Sequence, residues 1–411
     1  MKTTLAGLAR DGVLSYGDGY RTRKDELANS GFRIIRVADV ADGRVRMESP
    51  DFVEVARASA IGPKKAQAGD ILLTTKGTVG RVAVMPETPE QAVYSPQLCF
   101  FRTAGNGVID RSWLKSWFGS PEFLRQAAEC MGKTDMAAYI NLRDLGMMSI
   151  TVPDRDEQRA IAEVLGALDN AISAQEKLIR RNQELVDAHA TGLRAAANWS
   201  RTHMVRDVAY VVSGHSYRSA DLVEGSEDSL ITLKSITREG EYAARGLKPF
   251  AGEAKAPQYV SEGDLVVAQT DLTQAADVVG RAVRLPRGGL GGRRAVASLD
   301  LVIVRSRGVW PAEVVLAFLR SPGFRAHCLE RTSGTTVLHM KRGTVDTYGL
   351  PDVDAVDRDT FAATVRSLDM QRDGAMLEVT RLAALRDVLL PELMSGRMRV
   401  KDAQQRVEEA I

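Results

Sequence analysis

The 411-residue sequence predicts an α+β fold in which two homologous strand-rich domains are separated by an antiparallel pair of long coiled-coil helices. Three observations predict this fold. One sequence pattern occurs twice, each copy contains short β-rich runs, and each copy ends in a long stretch with apolar residues alternately four and three positions apart. Because 44% of the residues are hydrophobic and 26% are charged, the composition indicates a folded chain rather than a disordered one.

The internal repeat is visible in short motifs that recur in the same order about 200 residues apart. The paired motifs are Gly-Asp at 69–70 and 263–264, Gly-Arg at 80–81 and 280–281, and Ser-Pro at 120–121 and 321–322. Two copies are too few for a solenoid. The sequence therefore predicts two homologous domains related by a pseudo-two-fold internal repeat.

Within each copy, strands are predicted before helices. Runs of Val, Ile, Leu and Phe bounded by Gly, Pro or Asp predict strands over Phe32–Val40, Asp70–Thr75, Gly80–Val84 and Leu98–Arg102 in the first copy. A short helix follows in each copy, over Ser112–Phe118 and Ala312–Leu319, and we expect the Ser-Pro motif to end it.

Each copy ends in a long predicted helix with a heptad seam. The first runs from Asp156 to about Ala196, and the second repeats its register with Asp369 in the place of Asp169. About 40 residues at ~1.5 Å each give a rod of ~60 Å. Two equally long seams in one chain most simply pair with each other. The apolar seam residues are Ile161, Leu165, Leu168, Ile172, Ile179, Val186 and Leu193, then Phe361, Val365, Leu368, Val379, Leu382 and Leu389.

Polar residues interrupt the first seam at Gln175, Asn182 and His189. Buried polar groups in coiled coils set the register of pairing at a cost in stability, which is the favoured interpretation. A ligand role for His189 is disfavoured, because no second His, Cys or carboxylate lies one turn away in a metal-binding pattern.

Composition and motifs argue against several protein classes. With 55 Lys and Arg against 53 Asp and Glu, the net charge of +2 excludes a strongly basic, histone-like binder. The sparse cysteines Cys99, Cys130 and Cys328 favour reduced thiols. A cytoplasmic location is expected from the reduced thiols. No stretch approaches the ~18 apolar residues of a membrane span, and residues 1–12 contain no apolar core long enough for a signal peptide.

Catalytic and cofactor motifs are also missing from the sequence. Lys133 lies in a Gly-Lys-Thr segment, but Ala127 stands where a phosphate-binding loop needs its first glycine. No zinc-ligand, serine-hydrolase or convincing nuclease pattern occurs. We therefore expect a chain that binds and organises rather than an enzyme, with no metal or cofactor of its own.

Several segments resemble the specificity (S) subunit of Type I restriction–modification systems. Residues 153–162 (PDRDEQRAIA) and 168–172 (LDNAI) are similar to the start of that family's first conserved helix, and residues 389–400 (LLPELMSGRMRV) are similar to its usual ending. Residues 69–72 with Gly80 and Arg81, and residues 333–336, resemble pieces of its target recognition domains. The start of the second helix departs from the pattern, because residues 353–359 contain no Glu-Gln.

The resemblance implies an organisation in four parts. Residues 1–153 would form target recognition domain 1, residues 154–198 the first long spacer helix, residues 199–351 target recognition domain 2, and residues 352–411 the second long spacer helix with a tail. Each recognition domain would read one half of a bipartite, asymmetric DNA site, and the helix pair would set the spacing between the halves.

The resemblance also implies partners for this chain in phage defence. Two DNA adenine methyltransferase subunits would dock on it and carry S-adenosylmethionine. Two translocase-nuclease subunits would carry ATP and Mg. The chain would contact double-stranded DNA and no membrane.

Candidate DNA contacts are loop residues with side chains suited to phosphates or base edges. Lys76 and Gln269 are favoured, because each follows a strand that starts at a Gly-Asp pair. Arg81 and Arg281 recur in both copies, which favours phosphate contact or a structural role. For Tyr20 and Tyr217, packing beneath a loop is an equal alternative. The candidates are Tyr20, Arg21, Lys76, Thr78, Arg81, Lys133, Asp135, Tyr139 and Asn141 in copy one, then Tyr217, Arg218, Gln269, Thr270, Asp271, Arg293, Arg294, Thr335, His339 and Lys341.

Two alternatives from other classes stay open at this point. The chain could be a coiled-coil scaffold whose end domains bind proteins, or a fused nuclease or methyltransferase. The missing catalytic motifs argue against the second of these.

Overall fold

The computed structural model describes residues 1–41, 43–87, 91–105, 107–131 and 139–411. Contacts divide the chain into two units. Unit 1 comprises Met1–Ile172 and Arg381–Ile411, and unit 2 comprises Ser173–Thr380. The boundaries fall inside two long helices, so each unit contains the first part of one and the last part of the other. The four-part division predicted from the sequence stays a prediction.

Unit 1 combines short strands with helices of mostly one to three turns. Its strands are β1 (Lys2–Thr4), β2 (Leu14–Asp18), β3 (Leu27–Ala28), β4 (Phe32–Ile35), β5 (Val40–Ala41), β6 (Arg44–Val45), β7 (Phe52–Val53), β8 (Ile71–Thr74), β9 (Val82–Val84), β10 (Ala92–Tyr94), β11 (Leu98–Thr103) and β12 (Ser149–Thr151). Its helices are α1 (Leu5–Arg10), α2 (Ala58–Ile61), α3 (Arg111–Trp117), α4 (Pro121–Met131), α5 (Leu142–Met147) and the start of α6 (Arg155–Ala196).

Unit 2 contains a second series of strands and helices. Its strands are β13 (Asn198–Met204), β14 (Ala209–Ser213), β15 (Asp228–Ile231), β16 (Lys248–Phe250), β17 (Tyr259–Val260), β18 (Leu265–Ala268), β19 (Thr270–Asp271), β20 (Ala282–Arg284), β21 (Ala295–Ala297), β22 (Leu301–Ser306), β23 (Thr332–Ser333), β24 (Leu338–Met340) and β25 (Gly349–Asp352). Its helices are α7 (Val205–Val208), α8 (Ala312–Leu319), α9 (Pro322–Glu330) and the start of α10 (Ala355–Met394). The last helix of the chain, α11 (Val400–Glu408), belongs to unit 1.

Sheet topology repeats between the units, which supports the predicted internal repeat. The order β2-β11-β8-β9 in unit 1 matches β14-β22-β18-β20 in unit 2, and the pair β1-β12 matches β13-β25. Each unit also has a four-stranded sheet with one parallel pair, β4 with β10 and β15 with β21. Unit 2 adds a three-stranded sheet, β19-β24-β23.

Each long helix begins at an aspartate that caps it. The Asp154 carboxylate accepts a hydrogen bond from the backbone N–H of Glu157 at 2.9 Å, and the Asp354 carboxylate accepts one from Val356 at 2.8 Å. Such caps satisfy backbone donors that the first turn of a helix leaves unpaired. The second helix therefore has a defined start without the Glu-Gln pair.

Gln158 explains why that Glu-Gln pair suits the first helix. Its side chain is buried, accepts a hydrogen bond from the N–H of Asp110 at 2.7 Å, and donates to the carbonyls of Val108 and Pro153. The helix is thereby attached to the turn that precedes α3.

The long helices pair antiparallel within each unit. In unit 1, Ile161 and Leu168 of α6 lie in one core cluster with Leu382 and Leu389 of α10. The remaining predicted seam residues are buried or half-buried, namely Leu165, Ile172, Ile179, Val186, Leu193, Phe361, Val365, Leu368 and Val379.

In unit 2, buried Asn182 donates from Nδ2 to the carbonyl of Leu368 at 3.4 Å, as a register-setting residue would. His189, however, is exposed, and Ala190 takes the buried place. The buried position moves from residue 189, where a strict heptad places it, to residue 190, because a straight helix has 3.6 residues per turn and drifts from the heptad.

Two sequence-based element assignments change in the structure. The run Phe32–Val40 is not one strand, because the Asp39 carboxylate accepts a hydrogen bond from the N–H of Arg36 at 2.7 Å and closes a 3₁₀ turn. The Ser-Pro motif does more than end a helix. Ser120 and Ser321 each accept a hydrogen bond from the backbone N–H three residues later, and so begin α4 and α9.

Candidate nucleic-acid interface

One hydrogen-bonded turn holds a loop after a buried strand in both units. In unit 1, the N–H of Gly80 donates to the carbonyl of Thr74 at 3.0 Å. In unit 2, the N–H of Gly280 donates to the carbonyl of Ala268 at 2.8 Å. The loops so closed, called loop 1 and loop 2 below, comprise residues 75–79 and 269–279. The frame is common to both units, but the loops differ in length and sequence.

A second segment of the chain lies against each loop. The N–H of Ile140 donates to the carbonyl of Thr75 at 2.9 Å, and the N–H of Met340 donates to that of Gln269 at 2.8 Å. Gln269 is therefore the counterpart of Thr75. Lys76 and Gln269, both favoured from the sequence, therefore occupy places that differ by one residue.

Lys76 and Thr270 are thus equivalent in place but differ in environment. Lys76 pairs with Tyr139 through a backbone bridge, and Thr270 pairs with His339 in the same way. The side chain of Lys76 is exposed, whereas Thr270 is buried, with its hydroxyl 2.9 Å from Asp300 Oδ1. The half-buried side chain of Gln269 donates to the carbonyl of Leu299.

Asp271 is a buried anchor inside loop 2. Its carboxylate accepts hydrogen bonds from the hydroxyl and N–H of Thr273 at 2.9 Å and from the N–H of Val278 at 2.6 Å and Val279 at 3.2 Å. Burial alone would raise the pKa of Asp271, but these donors hold it below its ordinary value. With the Asp271 side chain 2% exposed, its part here is to shape the loop.

Exposed polar side chains form the rim of loop 2. Gln274 donates from Nε2 to the carbonyl of Thr335 at 2.6 Å, which ties the tip of the loop to the turn before β24. Thr335, His339 and Lys341 are exposed on that neighbouring segment. This rim offers amide, hydroxyl, imidazole and ammonium groups.

The exposed side of loop 1 carries Thr78 and is followed by Arg81. The Arg81 N–H donates to the Thr74 hydroxyl at 2.9 Å, and its guanidinium lies 3.3 Å from the carbonyl of Val40. Asn141 is exposed, but its side chain caps α5 by accepting from the N–H of Asp144 at 2.8 Å. Lys133 and Asp135 lie outside the described residues.

The two predicted tyrosines occupy corresponding places, half-buried beside a core cluster. Tyr20 donates its hydroxyl to Glu26 at 3.0 Å, and burial raises its pKa, with a further contribution from Glu26. Tyr217 packs beside Phe250, with Lys248 Nζ 5.9 Å from its ring centroid. Both therefore support loops, and the exposed groups are the arginines that follow them, Arg21 and Arg218.

Arg293 and Arg294 differ although they are adjacent and both exposed. The guanidinium of Arg294 lies 3.3 Å from Asp228 and 4.5 Å from the ring centroid of Tyr259. This pairing partly neutralises Arg294 and leaves Arg293 as the better candidate for phosphate contact.

No model of a known protein family matches the chain. In sequence it is similar to the "Putative type I restriction enzyme MjaX specificity subunit" of Methanocaldococcus jannaschii, with 24% identity over 172 residues. That match spans 41% of this chain and 39% of the archaeal protein. In structure it is similar to the type I restriction–modification S subunit of M. genitalium, with a TM-score of 0.59 and 14% identity over 96% of this chain and 95% of that one.

The chain has the fold of a type I specificity subunit. The predicted resemblance to these subunits is therefore confirmed, and so is the predicted fold class of mixed strands and long helices. No helix in the described part of the chain combines the length and apolarity that a membrane span requires.

The structure adds residues near the two loops that sequence reasoning missed. Gln274 and Asp300 hold loop 2 in place, and Gln97 does so for loop 1, through the hydrogen bond that its carbonyl accepts from Thr75. The Gly-Arg pair at the end of each loop is the sequence signal closest to these residues. It indicates where each loop ends, but it does not indicate which side chains contact the loop.

Proposed function

We propose that this chain is the DNA-specificity subunit of a type I restriction–modification complex and has no catalytic role of its own. The observation that carries the proposal is the common turn that holds two different loops, one in each unit. A common frame supplies the same approach to DNA twice. Different loops supply different base contacts, so the two half-sites would differ and the full site would be bipartite and asymmetric.

Phosphate contacts and base contacts would fall to different residues. Arg21, Lys76 and Arg81 in unit 1, and Arg218 and Arg293 in unit 2, are exposed cations suited to phosphates. Base edges would be read by the polar rims. These rims comprise Thr78 and Tyr139 on unit 1, and Gln274, Thr335, His339 and Lys341 on unit 2.

The long helices would set the spacing between half-sites. At ~1.5 Å per residue, the helices of 42 and 40 residues are each ~60 Å long, which is more than one ~34 Å turn of DNA. The outer face of this pair would dock two methyltransferase subunits, which bind S-adenosylmethionine. Two restriction subunits with ATP and Mg would complete a cytoplasmic complex.

The chain's net charge of +2 supports a division of labour within that complex. Bulk charge dominates nonspecific DNA binding, so a nearly neutral chain should bind DNA weakly by itself. Affinity would then come from the partner subunits and selectivity from this chain.

Methylome sequencing of cells that express the chain with its cognate methyltransferase subunit tests this proposal. We expect one bipartite adenine-methylation motif with unlike halves, and a change in only one half when His339 and Gln274 are replaced by alanine. Arg10→Ala, an exposed change on α1, is the control and should leave both halves intact. Absence of a motif with an active methyltransferase would favour the coiled-coil scaffold instead.

A further inference from the structure

Arg325 of α9 contacts the end of loop 2 and holds three of its carbonyl groups. Its guanidinium donates from Nη2 to the carbonyl of Ala276 at 2.5 Å and to that of Asp277 at 3.2 Å, and from Nη1 to that of Val279 at 3.2 Å. One guanidinium can serve several acceptors at once, because its N–H donors lie in a fixed planar fork. A single side chain from outside loop 2 therefore fixes the backbone of residues 276–279.

Asp271 holds the same segment through the opposite backbone groups. Its carboxylate accepts hydrogen bonds from the N–H groups of Val278 and Val279, whereas Arg325 donates to carbonyl groups. The peptide groups of this segment thus have an anion on their N–H side and a cation on their C=O side. This arrangement fixes the direction of the chain at the end of loop 2 as well as its position.

Ala276 has a backbone conformation that residues with a Cβ atom rarely adopt. Its φ is 53°, and no other non-glycine residue in the described part of the chain has a positive φ. In this left-handed region the Cβ atom crowds the following carbonyl oxygen, so the conformation persists only where surrounding contacts hold it. The hydrogen bond from Arg325 to the carbonyl of Ala276 is such a contact.

The internal repeat associates this arginine with the longer of the two loops. The Ser-Pro motifs align Leu124 of α4 with Arg325 of α9, and Leu124 is 52% exposed. Unit 1, which has the shorter loop 1, therefore carries an apolar side chain where unit 2 carries Arg325.

The place of Arg325 is unfavourable for a charged group by itself. Burial lowers the pKa of Arg325, and the neighbouring Arg281 lowers it further. The three hydrogen bonds to carbonyl groups offset this cost. Since a leucine, as at position 124, would avoid the cost, the contacts to loop 2 are what an arginine adds here.

We propose that Arg325 is a positioning residue for the half-site that unit 2 reads. By holding Ala276 in its left-handed conformation, Arg325 sets the direction in which the exposed tip of loop 2, with Gln274, projects. It acts through the loop and does not contact DNA itself. This inference rests on the proposed function, and it adds a residue that determines selectivity without reading a base.

The test measures DNA methylation by the assembled complex of this chain with its cognate methyltransferase subunit. The wild-type motif supplies a cognate duplex and two sets of duplexes with one substituted base pair, one set for each half-site. The half that changes when His339 and Gln274 are replaced is the unit 2 half-site. The discrimination ratio of each half-site is kcat/KM for the cognate duplex divided by kcat/KM for a substituted one. Arg325→Ala should lower the unit 2 ratio at least tenfold and leave the unit 1 ratio unchanged.

This readout separates positioning from a general loss of stability. Partial unfolding lowers kcat/KM for all duplexes alike, so it changes neither ratio. Arg245→Ala, which removes an exposed arginine elsewhere in unit 2, is the control and should leave both ratios unchanged. An unchanged unit 2 ratio in Arg325→Ala, or an equal fall of both ratios, overturns the proposal.

Two alanine substitutions test the backbone conformation and leave Arg325 in place. Ala276→Val puts a β-branched side chain at the positive φ, where such residues are rarest, and should lower the unit 2 ratio at least tenfold. Ala275→Val makes the same change one residue earlier, where φ is not positive, and should not lower it. Equal effects of the two variants overturn the proposal, and the comparison decides the question even if Arg325→Ala fails to fold.

A glycine at position 276 should restore part of the selectivity that Arg325→Ala loses. Glycine adopts a positive φ without steric cost, so it needs less support from Arg325. Ala276→Gly combined with Arg325→Ala should raise the unit 2 ratio at least about threefold above that of Arg325→Ala alone, whereas Ala275→Gly in the same background should not. Absence of this rescue would show that Arg325 does not act through Ala276.

The outcomes also separate this inference from the proposed function. A wild-type complex that methylates no bipartite motif refutes the proposed function itself. A wild-type complex that methylates such a motif, together with an unchanged unit 2 ratio in Arg325→Ala, refutes only the role of Arg325.

Discussion

Arg284 of β20 and the buried Asp373 of α10 form an ion pair in which one guanidinium nitrogen contacts both carboxylate oxygens. Arg284 Nη2 lies 2.8 Å from Asp373 Oδ1 and 2.7 Å from Oδ2, and the Asp373 side chain is 3% exposed. The backbone N–H of Arg287 also donates to this carboxylate at 2.8 Å. The strand β20 and the loop after it are thereby attached to α10 within unit 2.

Removing the Asp373 charge should destabilise unit 2. Asp373→Asn leaves part of the Arg284 charge unpaired in a buried place, which typically costs about 3 kcal/mol. Arg284 retains Asp369, with Nε 2.8 Å from Oδ2, so the loss should fall at the low end of the range for buried pairs. Asp387→Asn is the control, because that side chain is 71% exposed beside Arg386. Chemical unfolding at neutral pH measures both, and equal stability of the two variants would contradict the assignment.

Asp271 should contribute stability that depends on pH. Its pKa is lowered below the ordinary 3.8, so its ionised form is favoured in the folded state. The contribution is therefore fully present above about pH 3.8 and is lost as the pH falls through the lower folded value. Asp271→Asn should lower the free energy of unfolding by about 1–3 kcal/mol at pH 7. The difference in free energy of unfolding between Asp271→Asn and wild type should shrink as the pH falls below about 3.8. A difference that is constant from pH 7 to pH 3 would contradict this account.

Gln158 should contribute more to the free energy of unfolding than its neighbour Glu157. Gln158→Ala leaves the N–H of Asp110 and the carbonyls of Val108 and Pro153 without their partner, at about 1–3 kcal/mol. Glu157→Ala removes an exposed side chain and should change stability by less than about 0.5 kcal/mol. Thermal unfolding of the full chain would compare them. Equal losses would show that Gln158 is not the residue that attaches α6.

A longer helix pair should lengthen the DNA spacer. Seven residues inserted after Ala174 and seven after Gly374 preserve the heptad seam in both helices and add ~10 Å, or about three base pairs. The methylation motif should keep both halves and gain that spacing. Four residues inserted after Ala174 alone would break the seam, and we expect loss of methylation from that control. An unchanged spacer in the paired insertion would end the ruler hypothesis.

Exposed arginines near the loops should contribute to binding through phosphates. Arg21→Ala should weaken binding of the assembled complex to all DNA sequences alike and reduce the slope of log affinity against log salt by about 1. Arg10→Ala removes an exposed arginine on α1 and should not change the slope. A change in sequence preference with an unchanged slope would show that Arg21 reads bases instead.

Local sequence pattern suffices for features that depend on neighbouring residues alone. Gly80 and Gly280, which the repeat paired, both take a positive φ at the turn that closes a loop, a conformation that favours glycine and so leaves a signal in the sequence. The correspondence of Gln269 with Thr75 cannot be predicted from the sequence, because it depends on which carbonyls accept hydrogen bonds from Ile140 and Met340. Likewise, Asp271 reads as an exposed loop carboxylate until its four donors are located.

The sequence by itself determined the repeat, the order of strands and helices, and the two long heptad seams, because periodicity and turn residues act over short distances. Tertiary structure alone decided that His189 is exposed where Leu389 is buried, that Asp271 faces inward, and that Arg284 pairs with Asp373. Each of these depends on what a distant segment places beside the residue, and burial and ion pairing are properties of that neighbourhood rather than of the local chain.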